Sequence, residues 1–366
     1  MLQHLLGLLR YLDRGRFCPV VAGPPVGPLP AAVAALDVAF IPLALQEGWH
    51  PWPDHRLRRR LAAIIAGTGV NLVHTHGVQA GLAARPVAYA AGVPVVATAH
   101  NFVYSRPGPA WQKSILARCQ RQLVGCTDCF IAVCEGLGRE LRQVEGVPAH
   151  KLVIIPNGVD LDRLQAIFAR GKAKAPLFPH ERPRIGVFAR LIPEKGVDVF
   201  LRASVPVARE VPRCRFLIVG DGPQRRALEK LARRLGLAER AFFLGEVEEA
   251  AGLLPLLDLY VQPSRQEGLS LAVLEAMAAG RPVVASRTGG LVEEVRHGET
   301  GWLTAPGDVH DLAKAMLFLL AHGELARRYG ENGRRLVAER FTVKKMVEAT
   351  EAVYSRLLAT GRAGRC

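Results

Sequence analysis

Two glutamates stand out in the block of sequence from residue 264 to residue 280, where residue types and spacing could support chemistry. Glu267 precedes a run of good helix formers, and Glu275 lies two turns inside that run. Unpaired backbone N–H groups at the start of a helix, here near Gly268 and Leu269, can donate to a phosphate or to a sugar hydroxyl. Either glutamate alone is better explained as a charge that complements the helix dipole or as a solvated residue. The pair therefore needs support from elsewhere in the chain.

That support comes from two cations, Arg190 and Lys195, which follow an apolar run and precede a helix expected to open at about Val197. Two cations beside a helix N-terminus at the end of a strand can bind a diphosphate. The turn 220–223 (Gly-Asp-Gly-Pro) follows the next apolar run, but it lacks the Gly-x-Gly-x-x-Gly spacing. A dinucleotide-dependent oxidoreductase is therefore disfavoured.

The elements that must position these residues are short apolar runs alternating with longer amphipathic ones, a pattern typical of βαβ units. It predicts an α/β fold of two tandem Rossmann-like, doubly wound domains facing a cleft. The predicted boundaries are a first domain over 1–165, a linker over 166–184, a second domain over 185–342, and a helix over 343–360 that crosses back to the first domain. The predicted strands are 19–22, 38–41, 71–74, 94–97, 130–133 and 152–155, then 185–189, 216–219, 242–244, 259–262, 282–286 and 301–304.

Composition limits the class of protein. Of 366 residues, 49% are hydrophobic and 22% are charged, which excludes a disordered chain. No apolar stretch reaches the roughly 18 residues of a membrane span, and no signal-peptide pattern opens the chain, so a cytoplasmic location is expected. The net charge of +15 favours anionic partners such as nucleotides, and without a recognisable motif nucleic acid is not expected. The basic segment 55–61 is interpreted as a solvated helix face. The alternative interpretation is contact with an anionic membrane.

Seven cysteines, an odd number, argue against a complete disulfide framework. Four of them lie close together in sequence, at Cys119, Cys126, Cys129 and Cys134. Thiolate ligation of a metal would suit this spacing, but the apolar run that joins the last two favours a buried strand with cysteine as a small core residue. No metal site is predicted from these residues.

These blocks together resemble the family 4 glycosyltransferases of the GT-B fold. The resemblance covers residues 1 to about 358 and rests chiefly on Glu267 and Glu275 at the family's E-x7-E spacing, with support from the segments 190–196, 220–223 and 155–160. It implies a retaining transferase that moves a sugar from a nucleotide-diphosphate-sugar to a glycan or lipid-linked acceptor. It implies donor binding on the second domain and acceptor binding on the first. No cofactor or metal is expected, because no acidic cluster accompanies the two cations.

The resemblance also implies roles for individual residues. Arg190 and Lys195 neutralise the donor diphosphate, and Glu267 accepts hydrogen bonds from the donor sugar. His100 matches the first-domain histidine near the transferred sugar, while His74 and His76 are not expected to be catalytic. The other residues expected to bind the donor are the Gly268 and Leu269 amides at the sugar, Glu275 at the ribose, and Glu246 and Val247 at the base.

One departure from the family pattern keeps alternatives open. Family members begin with a strand and a Gly-Gly loop that faces the acceptor, whereas residues 1–13 here already have the pattern of the following helix. This places acceptor binding in question more than donor binding. The alternatives are a nucleotide-sugar epimerase on the same fold, and a catalytically impaired binding or scaffold protein.

Overall fold

The computed structural model describes residues 1–44, 55–104, 108–171 and 182–360. The chain divides into two compact units, one made of Met1–Gly158 with Val343–Cys366 and the other of Val159–Thr342. In both units parallel strands alternate with helices along the chain. The predicted class of two tandem α/β domains is confirmed.

The first unit contains a two-stranded and a four-stranded sheet, and every strand pair in them is parallel. The four-stranded sheet has the order β3-β4-β5-β6. Its strand β5 is buried on both faces, which explains its uninterrupted apolar sequence. The strands are β1 (Val20–Gly23), β2 (Ala39–Pro42), β3 (Val73–His76), β4 (Val95–Ala99), β5 (Cys129–Ala132) and β6 (Leu152–Ile154).

Seven α-helices of the described chain belong to the first unit, and the last of them comes from the far end of the sequence. Leu8, Val343 and Met346 share one apolar core, so the first and last helices pack together. Gly7 lies at their contact, where a Cβ would come within 2.8 Å of a Val343 methyl group. The helices are α1 (Leu2–Tyr11), α2 (Leu29–Ala34), α3 (His55–Thr68), α4 (Val78–Ala90), α5 (Ala110–Gln122), α6 (Glu135–Glu140) and α14 (Val343–Ala359).

The second unit is built on a six-stranded parallel sheet with the order β12-β11-β10-β7-β8-β9. Phe200, Phe216 and Val261 are fully buried between this sheet and its helices. The strands are β7 (Arg184–Phe188), β8 (Arg215–Val219), β9 (Ala241–Gly245), β10 (Leu259–Gln262), β11 (Val283–Ser286) and β12 (Gly301–Thr304). The helices are α7 (Leu161–Gly171), α8 (Val197–Glu210), α9 (Arg225–Arg234), α10 (Leu271–Ala278), α11 (Leu291–Glu294), α12 (Val309–Ala321) and α13 (Gly323–Arg340).

The predicted domain boundary differs from the observed division. Helix α7 occupies the start of the predicted linker 166–184 and belongs to the second unit, which begins at Val159 and not at 185. Leu164 and Ile167 are buried on its apolar face, and Gly171 lies so close to Gly252 that a Cβ would overlap the carbonyl oxygen of Gly252. Residues 172–181 of the predicted linker lie outside the described residues.

Of the four clustered cysteines, Cys129 and Cys134 are buried in the first unit, whereas Cys119 and Cys126 are half-buried. Cys129 packs with Leu8 and Ile131, and Cys134 is fully buried. Burial raises the pKa of the Cys129 thiol, which disfavours the thiolate that a metal would need. This position is that of a small core residue.

Candidate functional site

Three loops of the second unit carry the residues predicted to bind a donor. Strands β10, β7 and β8 lie side by side in the sheet. Arg190 and Lys195 follow β7, Gly220 follows β8, and Glu267 follows β10. Because parallel strands end at the same edge of a sheet, the three loops gather at its carboxyl edge, where ligands of such folds bind.

Glycines allow these loops to touch. Gly196 has φ +63°, and a Cβ there would lie 2.1 Å from the carbonyl oxygen of Pro263 in the loop after β10. Gly220 has φ +124°, and its Cβ would lie 2.1 Å from the carbonyl oxygen of Ala189 after β7. Any other residue would meet both a strained backbone and a steric clash at these positions. Gly196 thereby brings the neighbouring Lys195 against the loop that carries Glu267.

Lys195 and Glu267 form an ion pair across two of the loops. The Lys195 ammonium donates to both carboxylate oxygens, at 2.7 Å to Oε1 and 2.6 Å to Oε2. The Glu267 side chain is 7% exposed and that of Lys195 is 23% exposed. The resemblance implies separate partners for these groups, a diphosphate and a sugar. An anion that binds Lys195 would therefore share its ammonium with Glu267.

A chain of buried hydrogen bonds orients Glu267 from the interior. The Tyr260 hydroxyl donates to Gln262 Oε1 at 2.7 Å, which leaves the Gln262 amide nitrogen to donate to Ser264 Oγ at 2.8 Å. Ser264 in turn donates to Glu267 Oε2 at 2.9 Å. Burial raises the pKa of Tyr260 well above its ordinary value, so the hydroxyl keeps its proton. The sequence predictions left out these supporting residues; the only signal was polar Gln262 at the end of an apolar strand.

A second set of contacts joins the same two loops. Arg265 donates to both carboxylate oxygens of Asp198, each at 2.7 Å, and to the carbonyl oxygen of Pro193 at 2.9 Å. The Arg265 backbone N–H donates to the carbonyl oxygen of Glu194 at 2.8 Å. The hydrogen bonds from Arg265 lower the pKa of Asp198, so the pair stays ionised at neutral pH. These bonds fix the loop around Lys195.

Glu275 lies on α10, as predicted, and is half-buried. Loss of hydration raises the pKa of its carboxyl to about 7, and the charge of Arg163 opposes that rise. Glu275 is therefore poised between its two protonation states at neutral pH. Hydrogen bonds donated by a ligand to the carboxylate would favour the charged form.

A third carboxyl, Glu294 on the short helix α11, was not predicted. Its side chain is fully buried, and among the described residues neither oxygen has a hydrogen-bond partner. Burial raises the pKa of Glu294 well above its ordinary value, and the charge of Glu267 adds to the effect. The sequence pattern does not distinguish Glu294 from the exposed charged residues nearby.

The remaining predicted residues of the second unit lie at or next to strand ends. Arg190 is exposed two residues beyond the end of β7, and Glu246 is exposed directly beyond β9. Val247 is half-buried. Gly268 and Leu269 are buried in the turn before α10, where the Gly268 carbonyl accepts from the Gly290 N–H at 2.8 Å. Their contacts with a donor stay predictions.

His100, in the first unit, lies directly after β4 and is buried. His76 ends β3, and its Nδ1 lies 3.0 Å from Nε2 of His100, so one nitrogen donates to the other. Burial lowers the pKa of His76 to about 3 and also lowers that of His100. His74 has both nitrogens engaged, with Thr98 and Tyr354, which fits a structural role.

A cavity of about 850 Å³ lies away from these residues. Its lining includes Pro183, Asp258 and Pro282, which precede β7, β10 and β11, so it opens at the amino edge of the sheet. None of the predicted site residues lines it. The cavity is therefore not part of the candidate site.

The basic segment 55–61 forms the start of α3. Arg56, Arg58, Arg59 and Arg60 are all exposed there, while Leu61 faces the core. Within the described parts of the chain, no helix combines the length and apolar character needed to cross a bilayer.

Two family models match the chain, one in each half. Residues 2–163 match the model described as Glycosyltransferase Family 4, and residues 182–322 match the model described as Glycosyl transferases group 1. Similar proteins include N-acetyl-alpha-D-glucosaminyl L-malate synthase of Bacillus anthracis, 36% identical over 47% of this chain and 45% of that protein. A GDP-mannose-dependent alpha-(1-6)-phosphatidylinositol monomannoside mannosyltransferase of Mycobacterium tuberculosis is 36% identical over 52% of each chain. Each match thus spans about half the length of the relative.

Solved structures show the same fold over nearly the whole chain. Anabaena Alr3699/HepE in complex with UDP-glucose has a TM-score of 0.82 at 22% identity, covering 97% of this chain and 95% of that one. At that identity the likeness shows the GT-B fold. With one half matching each family model, the chain belongs to the glycosyltransferases of family 4.

Proposed function

We propose that the protein is a retaining glycosyltransferase that moves a sugar from a nucleotide-diphosphate-sugar to a glycan or lipid-linked acceptor. The observation that carries this proposal is the Lys195–Glu267 pair at the carboxyl edge of the second-unit sheet. The cation assigned to the diphosphate and the carboxylate assigned to the sugar are hydrogen-bonded to each other. The family membership and the relatives that act on GDP-mannose or bind UDP-glucose support the same reaction class.

In this proposal the donor diphosphate binds Arg190 and Lys195. As the bond to the transferred sugar breaks, negative charge grows on the leaving diphosphate, and the two cations stabilise it. They supply this charge themselves, so we expect transfer without an added metal ion. The backbone around Gly268 and Leu269 seats the sugar beside Glu267.

Glu275 is assigned to the ribose hydroxyls, and Glu246 with Val247 to the base. Ribose hydroxyls that donate to Glu275 would stabilise its charged form and lower a pKa that stands at about 7 in the free protein. Nucleotide binding at pH 7 should therefore release a fraction of a proton. Calorimetry in two buffers of different ionisation enthalpy measures that proton directly.

His100 is assigned to the transferred sugar by the family resemblance. Its lowered pKa means that it acts as a neutral imidazole, which can accept a hydrogen bond or donate one but carries no charge. His76 shares a hydrogen bond with it and would fix the orientation of its ring.

The test is a panel of nucleotide-sugars offered with short glycan and lipid-linked acceptors. A transferase releases free nucleotide in proportion to glycosylated acceptor, and proton coupling constants of the product report whether the anomeric configuration is retained. Lys195→Ala should slow turnover about 100-fold. Arg234→Ala, which changes an exposed arginine on α9, should leave turnover unchanged. A donor converted to its epimer without acceptor product would refute transfer.

We also propose that the enzyme contacts anionic membranes through α3. Four exposed arginines in its first turns suit anionic headgroups, each worth about 1 kcal/mol near a charged surface. Co-sedimentation with vesicles that contain phosphatidylglycerol should fall on Arg58→Glu/Arg59→Glu substitution. Equal binding to purely zwitterionic vesicles would contradict this.

A further inference from the structure

Three imidazoles of the first unit meet at the carboxyl edge of its four-stranded sheet. His76 ends β3, His100 follows β4, and His4 lies on α1. Their ligand nitrogens all lie within 4.8 Å of one another. The ring centroid of His4 is 4.7 Å from that of His100 and 5.4 Å from that of His76. Three elements far apart in sequence thus direct donor atoms to one point.

The hydrogen bonds around the cluster suit a bound ion. His4 Nδ1 lies 2.9 Å from Asn157 Oδ1 in a buried contact, so Nδ1 carries the proton and Nε2 keeps its lone pair. Metal-bound histidines are commonly oriented in this way, by donating the second ring nitrogen to an oxygen. His76 Nδ1 and His100 Nε2 lie 3.0 Å apart, somewhat closer than the roughly 3.4 Å between two ligands of a tetrahedral ion with bonds of about 2.1 Å. The ring that donates across this contact would carry its proton on its other nitrogen when an ion binds.

The cluster offers three imidazole nitrogens and no carboxylate or thiolate. Among the described residues this is the one group of three or more histidines, cysteines or carboxylates found to have such geometry.

We propose that His4, His76 and His100 bind one divalent transition-metal ion of the class that prefers imidazole, with Zn²⁺ as the probe. The all-nitrogen donor set disfavours Mg²⁺ and Ca²⁺, which prefer oxygen ligands. A tetrahedral ion would hold the three nitrogens about 3.4 Å apart. The imidazole rings would therefore have to move by on the order of 1 Å when the ion binds. The fourth position is open to water or an anion.

Occupancy would matter for the reaction, an expectation that rests on the proposed function. A bound ion would use the His100 lone pair, which could then no longer accept a hydrogen bond from a sugar hydroxyl. The ion would then inhibit transfer and not assist it, in keeping with the metal-independent reaction proposed above.

The experiment uses the full chain without a histidine tag, stripped of metal by a chelator. Calorimetry with Zn²⁺ and visible absorption with Co²⁺ should each show one ion per chain. His4→Ala and His76→Ala should lower the affinity at least tenfold, and Asn157→Ala about tenfold through ring orientation. His150→Ala is the matched control, because this exposed histidine of the same unit should leave binding unchanged.

Circular dichroism establishes that each variant folds. If a variant does not fold, wild-type protein with ¹⁵N-labelled histidine replaces it, and Zn²⁺ should shift the imidazole signals of His4, His76 and His100 but not that of His150. Failure of the wild type to bind one ion, unchanged affinity in folded variants, or shifts confined to other histidines would overturn the site. None of these measurements needs a donor or an acceptor, so they stand apart from the test of transferase activity.

Discussion

Because Lys195 forms an ion pair with Glu267, its substitution should affect stability as well as transfer. Truncating a surface cation would affect only transfer, but Lys195 neutralises the buried Glu267. Arg190→Ala and Lys195→Ala should each slow transfer about 100-fold by removing a charge from the leaving group. Lys195→Ala should also lower the free energy of unfolding by about 1–3 kcal/mol, because a buried carboxylate loses its partner. Exposed Arg190 should cost almost no stability.

Urea unfolding separates the two effects. The double variant Lys195→Met/Glu267→Gln removes both charges together and should recover most of the lost stability while staying inactive. If Lys195→Ala and Arg190→Ala unfold at the same urea concentration, the pair contributes nothing to the fold.

Glu275 should make stability depend on pH. Its carboxyl has a pKa of about 7 in the folded protein and about 4.5 in the unfolded chain, so the unfolded state binds fewer protons between these values. The free energy of unfolding should therefore fall as pH rises from 4.5 to 7, by about 3 kcal/mol in total. Glu275→Gln should remove this decline and unfold at higher temperature than wild type at pH 8.

Calorimetric scans at pH 5 and pH 8 without nucleotide provide the measurement. Glu293→Gln is the control, since it changes a carboxyl on α11 that is not fully buried. A wild-type protein and a Glu275→Gln variant with parallel pH dependence would show that Glu275 titrates normally.

At the scale of elements, the loop around Lys195 depends on one backbone contact. Gly196→Ala combines a φ of +63° with a Cβ 2.1 Å from the carbonyl oxygen of Pro263, whereas Gly236→Ala has a φ of +73° and open space. Both should lose about 1 kcal/mol from the strained backbone, and Gly196→Ala should lose substantially more. It should also weaken nucleotide binding, because Lys195 and Glu267 separate.

Thermal unfolding and nucleotide titration of the two variants measure this difference. Since the backbone conformation is matched, any excess loss in Gly196→Ala comes from the loop contact. Equal melting temperatures and equal nucleotide affinities would mean that the two loops move apart without cost.

The predicted strands lie within two residues of those observed, because each strand is a short apolar run that can be recognised in its own segment of sequence. The Lys195–Glu267 pair was not predictable in the same way. It depends on β10 lying next to β7, an order set by packing of the whole sheet. The linker prediction failed at α7 because a short amphipathic segment next to polar sequence does not reveal which core will bury Leu164 and Ile167.

At the scale of the whole molecule, the proposed donor site belongs to one unit. A nucleoside diphosphate should slow amide hydrogen exchange in the segments 190–196 and 263–270 of the second unit. Strands β3 to β6 of the first unit provide the internal reference, and their exchange should not change. Protection confined to the first unit would contradict the assignment of the donor to the second.

Helix α14 packs on α1 in the unit made of the first 158 residues, yet its own sequence follows the whole second unit. A growing chain therefore emerges from the ribosome with the core around Leu8 still open. At about 5–20 residues per second, translation of residues 159–342 takes about 10–40 s, during which the second unit can fold first. The unit that begins at the amino-terminal side is thus completed after the second unit, and chaperones have that interval in which to cover its apolar helix face.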